Sequence, residues 1–271
     1  MLFFSIVLLS LVLFFLGGYF YFQKESLIVD VFSHVAFPGV VLTFILFKSL
    51  NLYLVLICST FIVLFFDYLK QMLLYRTNFS SDSIFAFLIS FGFSLGIVFV
   101  NFLQNMGVST KLGFNNFLFG NITALSNFDS LLIIILGFLV LCTLFFLRKI
   151  IFNLLFDYKF LLQRGIKASF VNSVVSFVTV IMTVLSLKVA GVVLTTGLFL
   201  IPFATANIFC KRIKSYCLFA IVLISLVSYF AMFLSQNFTG LSTGPVLIFT
   251  YFSVFILSYS YKYFLNYIKR G

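Results

Sequence analysis

The chain is a succession of apolar runs, each about 20 residues long, parted by short polar turns. A run of that length crosses the bilayer's hydrocarbon core as a helix. A hydrophobic fraction of 63% with 8% charged residues and a mean hydropathy of +1.24 rule out a soluble domain. The expected fold class is all-α. It is a polytopic membrane protein of about nine transmembrane helices (eight possible), forming one domain over residues 1–271.

In chain order the expected spans cover residues 2–22, 27–47, a third ending near 66, a fourth ending near 103, then 130–147, 170–187, 191–208, 216–234, and a ninth ending near 261. No positive region precedes the first span and no small-residue cleavage site follows it, so it reads as a retained helix. A polar connection is expected over 67–83, with Ser80–Ser83 offering N-caps for the fourth span. Gly92 and Gly96 share a face of that span, at a spacing that lets a neighbouring backbone come close. The stretch from 104 to 129 is polar but carries Phe residues, and is expected to lie along the membrane surface. With 43 Phe and no Trp, the composition resembles AT-rich codon usage, and the aromatics are read as lipid-facing filler. Cys58, Cys142, Cys210 and Cys217 lack zinc-finger spacing and are expected to be free thiols.

Charge sets the orientation. With nine spans, one set of loops holds fourteen basic residues, among them Arg148, Lys149, Lys159, Arg164, Lys167, Lys211, Arg212, Lys214, Lys262, Lys269 and Arg270. The other set holds three, Lys48, Lys111 and Lys188. Positive residues stay inside, which places the N-terminus outside and the C-terminus in the cytosol. No basic face outside the membrane is large enough for nucleic acid.

The second span is the one with chemistry in it. It carries Asp30, four residues before His34, the chain's only histidine, with Pro38 and Gly39 one turn on. Residues i and i+4 share a helix face. A carboxylate and an imidazole there can share one divalent cation, or they can pack as a half-buried polar pair that binds nothing. Ionisable groups inside a membrane are costly and point by default to an ion path. Asp67, Asp82, Asp129 and Asp157 fall at span ends, where capping and solvation account for them. Farther on, the segment 204–215 keeps Ile208, Phe209 and Ile213 as an apolar stripe beside Lys211, Arg212 and Lys214. Such a stripe suits a short helix on a partner's groove or one resting on lipid. The chain has no G-x-x-x-x-G-K-[ST] phosphate loop.

These fragments resemble a family. Val29-Asp-Val-Phe-Ser-His-Val-Ala-Phe-Pro-Gly39 is similar to the signature of permease subunits of zinc, manganese and iron importers driven by ATP-binding cassettes. The likeness continues at Ser81-Asp82, at Leu118-Phe-Gly-Asn-Ile122, at Phe156-Asp157 with Gly165, through Val189–Ala206 and at Thr243-Gly-Pro245. Val29, Ala86 and Ser242 depart from the family pattern. The resemblance implies a transport permease of a bacterial inner (plasma) membrane, not itself an enzyme. It further implies a homodimer, a cytosolic ATP-binding subunit, and an extracytoplasmic metal-binding protein. The divalent metal ion is then a transported substrate, with no cofactor bound permanently. Asp30 and His34 would be its transient ligands, with zinc slightly favoured over manganese or iron by the segment Ile201–Ala206. The resemblance also places the ATPase contact just after Pro202–Ala206, making Ala204, Thr205, Ala206, Phe209, Lys211, Arg212 and Ile213 the coupling residues.

Two rivals remain on the residues alone. A subunit of a respiratory or other energy-coupling complex would carry proton-relay Lys or Glu or several haem-ligating His, and this chain has one His and no central Lys or Glu. A lipid-modifying enzyme would need an acid, base or nucleophile cluster at one membrane surface.

Overall fold

The computed structural model describes residues 1–105, 114–122, 125–156, 163, 165, 168–210, 213–237 and 243–268. Regular structure among them is helical. We number the helices α1 (Leu2–Gln23), α2 (Ile28–Phe47), α3 (Leu52–Arg76), α4 (Ser81–Asn105), α5 (Phe114–Phe119), α6 (Asn127–Phe156), α7 (Ala168–Val189), α8 (Thr195–Phe209), α9 (Ile213–Asn237) and α10 (Thr243–Ile268). Eight of them, all but α5 and α8, are long and apolar enough to cross a membrane.

α1, α2 and α7 are buried along most of their length, while α3, α4, α6, α9 and α10 turn most of their surface outward. Small hydroxylated residues let α7 sit inside. Thr179, Thr183 and Ser186 return their hydroxyls to the carbonyls of Val175, Thr179 and Thr183 at 2.7, 2.8 and 2.6 Å. No polar group is then left bare against its neighbours. α2 lies between α3 and α4, and α1 packs on α6, α8 and α9. The expected close approach at α4 is made against α2: a Cβ on Gly92 would stand 2.6 Å from Val35 Cγ2, and one on Gly96 would strike Phe37. α2 itself runs unbroken through Pro38.

Several expectations are corrected. α3 does not stop near residue 66 but continues to Arg76, leaving only 77–80 between it and α4. The reason is that Asp67 and Lys70 neutralise each other at 2.7 Å inside the bundle. α4 is capped at its start, with the Ser83 amide donating to Ser80 Oγ at 3.3 Å. α6 begins at Asn127 on a reciprocal cap, in which the Ser126 amide donates to Asp129 Oδ2 at 2.8 Å and the Asp129 amide to Ser126 Oγ at 3.1 Å. It runs past Arg148, whose guanidinium lies 4.3 Å from the centre of the Phe145 ring.

The aromatics are not only filler. Phe61 and Phe146 face outward, whereas Phe14, Phe32, Phe37, Phe85 and Phe199 are fully buried. The four cysteines are free.

The span expected over 191–208 starts late. Gly191 takes a φ of +86°, a conformation open to glycine, and the Val192 amide donates to Phe117 O at 2.9 Å instead of continuing α7. α8 is left with 15 residues, a rise of about 22 Å against the roughly 30 Å of a bilayer core.

Candidate metal site and coupling surface

From Ile28 to Val41 every residue of α2 is buried except Asp30 and His34. Their side chains keep 29% and 17% of their surface, one turn apart on the same face. His34 Nε2 lies 3.6 Å from Asp30 Oδ1. That is too long for a hydrogen bond, which sits at about 2.7–3.2 Å. It is close to the roughly 3.4 Å that separates two donors held about 2.0–2.2 Å from one tetrahedral zinc. The pair is spaced to share a cation without closing on itself. His34 Nδ1 is buried with no hydrogen-bond partner, and the ring meets Phe93 of α4 edge to face, centroids 5.2 Å apart. Among the described residues no group of three His, Cys, Asp and Glu side chains comes together, so one copy offers two ligands of this kind at the site.

Two of the remaining acids, Asp67 and Asp129, have other work. Asp67 pairs with Lys70 and also accepts from Gln71 Nε2 at 3.0 Å. Asp129, besides capping α6, accepts from Lys188 Nζ at 2.6 Å. Asp82 is exposed in the first turn of α4. Asp157 lies outside the described residues.

Three segments singled out in the sequence meet at one end of the bundle. The Asn121 amide donates to Lys188 O at 3.1 Å, and the Ile122 amide to Thr243 Oγ1 at 2.8 Å. Gly120, at φ +73°, lies against the carbonyls of Val189 and Ala190. The helix expected on the membrane surface is therefore tucked in, with Phe117 of α5 2% exposed. Sequence reading had marked 118–122, 189–206 and 243–245 separately. Their scattered likeness to one family was the only sign that they belong together.

At the opposite end, the stripe of Ile208, Phe209 and Ile213 is not a separate short helix. Phe209 ends α8, Cys210 is extended, and Ile213 begins α9. Thr205 and Ala206 are buried, Ala204 is half-buried, and Phe209 is 45% exposed while packing its ring 5.5 Å from that of Phe219. Lys211 and Arg212 lie outside the described residues, as do Lys159, Arg164 and Lys167 of the basic loop. A groove of about 310 Å³, lined by Ala204, Asn207, Ile208, Tyr259, Lys262 and Tyr263, opens beside the end of α8. Lys262 Nζ donates to Ile208 O at 2.8 Å, a base on the carbonyl end of a helix.

The sequence profile of the ABC 3 transport family matches residues 2–262. The chain belongs to that family. Among its relatives is the manganese transport system membrane protein MntC of Bacillus subtilis, 28% identical over 245 residues, 90% of this chain. The match spans 56% of that relative's own length. The high-affinity zinc uptake system membrane protein ZnuB of Haemophilus influenzae is 27% identical over 253 residues, 93% of each chain. In fold, the chain is similar to a structure described as PsaBC from Streptococcus pneumoniae in complex with Fab. The TM-score is 0.82 at 21% identity, covering 95% of this chain and 89% of that one. With eight helices fit to span a bilayer and a family of transport proteins around it, this ABC 3 chain is a multi-pass membrane protein.

Proposed function

We propose that this chain is the permease subunit of an ATP-driven importer of divalent metal ions in a bacterial inner membrane, with zinc slightly favoured over manganese or iron. The observation that carries the reading is the Asp30–His34 pair, held 3.6 Å apart as the two residues not buried between Ile28 and Val41 of α2. The names of the relatives include both zinc and manganese systems, in keeping with a carboxylate and an imidazole that serve either ion. One copy offers two ligands where zinc takes four, so a second copy facing the same stripe completes the set. Shared ligands suit a path, because an ion in transit must bind well enough to enter and weakly enough to leave.

An extracytoplasmic protein delivers the ion and a cytosolic ATPase drives the path between its open states. The N-terminus is outside, the C-terminus inside, and α8 with its preceding turn completes the ninth crossing. The ATPase docks at the end of α8, over residues 204–213, with Phe209 and the neighbouring bases Lys211 and Arg212 as contacts. Buried Thr205 and Ala206 position that end, and Ile213 starts the next helix beside it.

Two measurements test this. Asp30→Ala and His34→Ala should each abolish zinc and manganese uptake at unchanged protein level, a loss beyond the roughly 10–100-fold that follows removal of a ligand's outer-shell partner. Normal uptake by either variant rejects the site. Phe209→Asp should release the ATPase on co-purification with the permease still in the membrane. Retention at full stoichiometry would withdraw both this contact and its place on the cytosolic side.

A further inference from the structure

We infer that Phe93 of α4 is a positioning residue that holds the His34 imidazole in its ligating orientation, an inference that rests on the metal-site reading above. A ligating histidine ordinarily gives its second ring nitrogen to a carboxylate, a carbonyl or water, and that bond fixes the ring. Here the second nitrogen has none: Nε2 points to Asp30, and Nδ1 is buried and unpartnered. Something else must stop the imidazole from rotating about its side-chain bonds. The Phe93 ring is in contact with it, 5.2 Å away centroid to centroid and inclined at 85°, the edge-to-face geometry that aromatic pairs favour.

Phe93 is fit for the role because it is itself held. It also packs on Phe37 of α2, at 6.0 Å and 32°, one turn beyond His34 and 1% exposed. Gly92 beside it and Gly96 one turn on remove the side chains that would keep α4 off α2. A Cβ at Gly92 would stand 2.6 Å from Val35 Cγ2. The two glycines thus set the helix separation, and Phe93 fills the space that this separation leaves against His34. A leucine at 93 would preserve apolar bulk but lose the flat face.

The test uses the full-length permease in lipid nanodiscs with zinc(II) and cobalt(II) as probes. Zinc affinity is read by chelator competition, and ligand geometry by the visible absorption of bound cobalt(II). Phe93→Leu should weaken zinc about tenfold, the lower end of outer-shell effects, and alter the cobalt band. Phe93→Tyr, which keeps the ring, should restore both. Phe93→Met repeats the leucine test if leucine impairs assembly. Wild-type affinity and cobalt spectrum in Phe93→Leu, with binding lost in His34→Ala, would overturn the role of Phe93 and leave the site standing. Unchanged zinc affinity in His34→Ala would remove the site and the inference together.

Discussion

α2 and α3 lie side by side, and each carries an acid and a base one turn apart, yet the two pairs have opposite characters. On α3, Asp67 and Lys70 close to 2.7 Å with 8% and 7% of their side chains exposed. Gln71 covers the second carboxylate oxygen, and the ammonium also lies 5.8 Å from the centre of the Phe32 ring. On α2, Asp30 and His34 stop at 3.6 Å with more than twice the exposure, and one imidazole nitrogen has no partner. The first pair has neutralised its charges in direct contact, although Asp67 Oδ1 meets Lys70 as an ion pair and not as a hydrogen bond. The second has paid part of the desolvation cost and withheld the contact that would repay it. Closure, more than residue type or burial, separates the pair read as structural from the pair proposed to bind metal.

The largest test of that contrast is to break the closed pair. Asp67→Ala leaves an uncompensated buried ammonium, which costs about 3–5 kcal/mol. The permease should melt at a lower temperature and accumulate poorly, while the zinc affinity of the surviving folded fraction stays at the wild-type level. Replacing both partners, Asp67→Leu with Lys70→Met, should recover most of the loss, since an apolar pair of similar volume matches a buried ion pair. Loss of zinc binding in that stable double variant would show that α3 serves the site directly, and the division between the pairs would fail.

The sequence carried much of this and missed the rest for identifiable reasons. The spans were legible because the bilayer demands about 20 apolar residues per crossing. Span ends were misplaced wherever a charge was taken as the boundary, because Lys70 neutralises Asp67 and Ser126 exchanges hydrogen bonds with Asp129. Asp30 and His34 stand out as a candidate pair because i and i+4 spacing is local. Phe93 was not, since nothing near it in sequence marks it out among 43 phenylalanines. Only the packing of α4 on α2 puts it beside the histidine. Gly92 and Gly96 did announce a close approach, but not the helix approached.

A smaller effect sharpens the same contrast through protons. A ligating imidazole must be neutral, so acid competes with metal at His34. Zinc affinity should fall once acid protonates the ring, and uptake at limiting zinc should follow it. The contrast predicts that metal affinity, more than the melting temperature of the metal-free protein, responds to acid. Measured together in metal-free and zinc-loaded nanodiscs, the two quantities should separate. Affinity that never falls under any acidification the folded protein survives would mean that no imidazole competes with protons for the metal, and His34 could not be the ligand. A melting temperature that drops in step with affinity would place the proton on the fold itself, and the open pair would then be doing the structural work here assigned to the closed one.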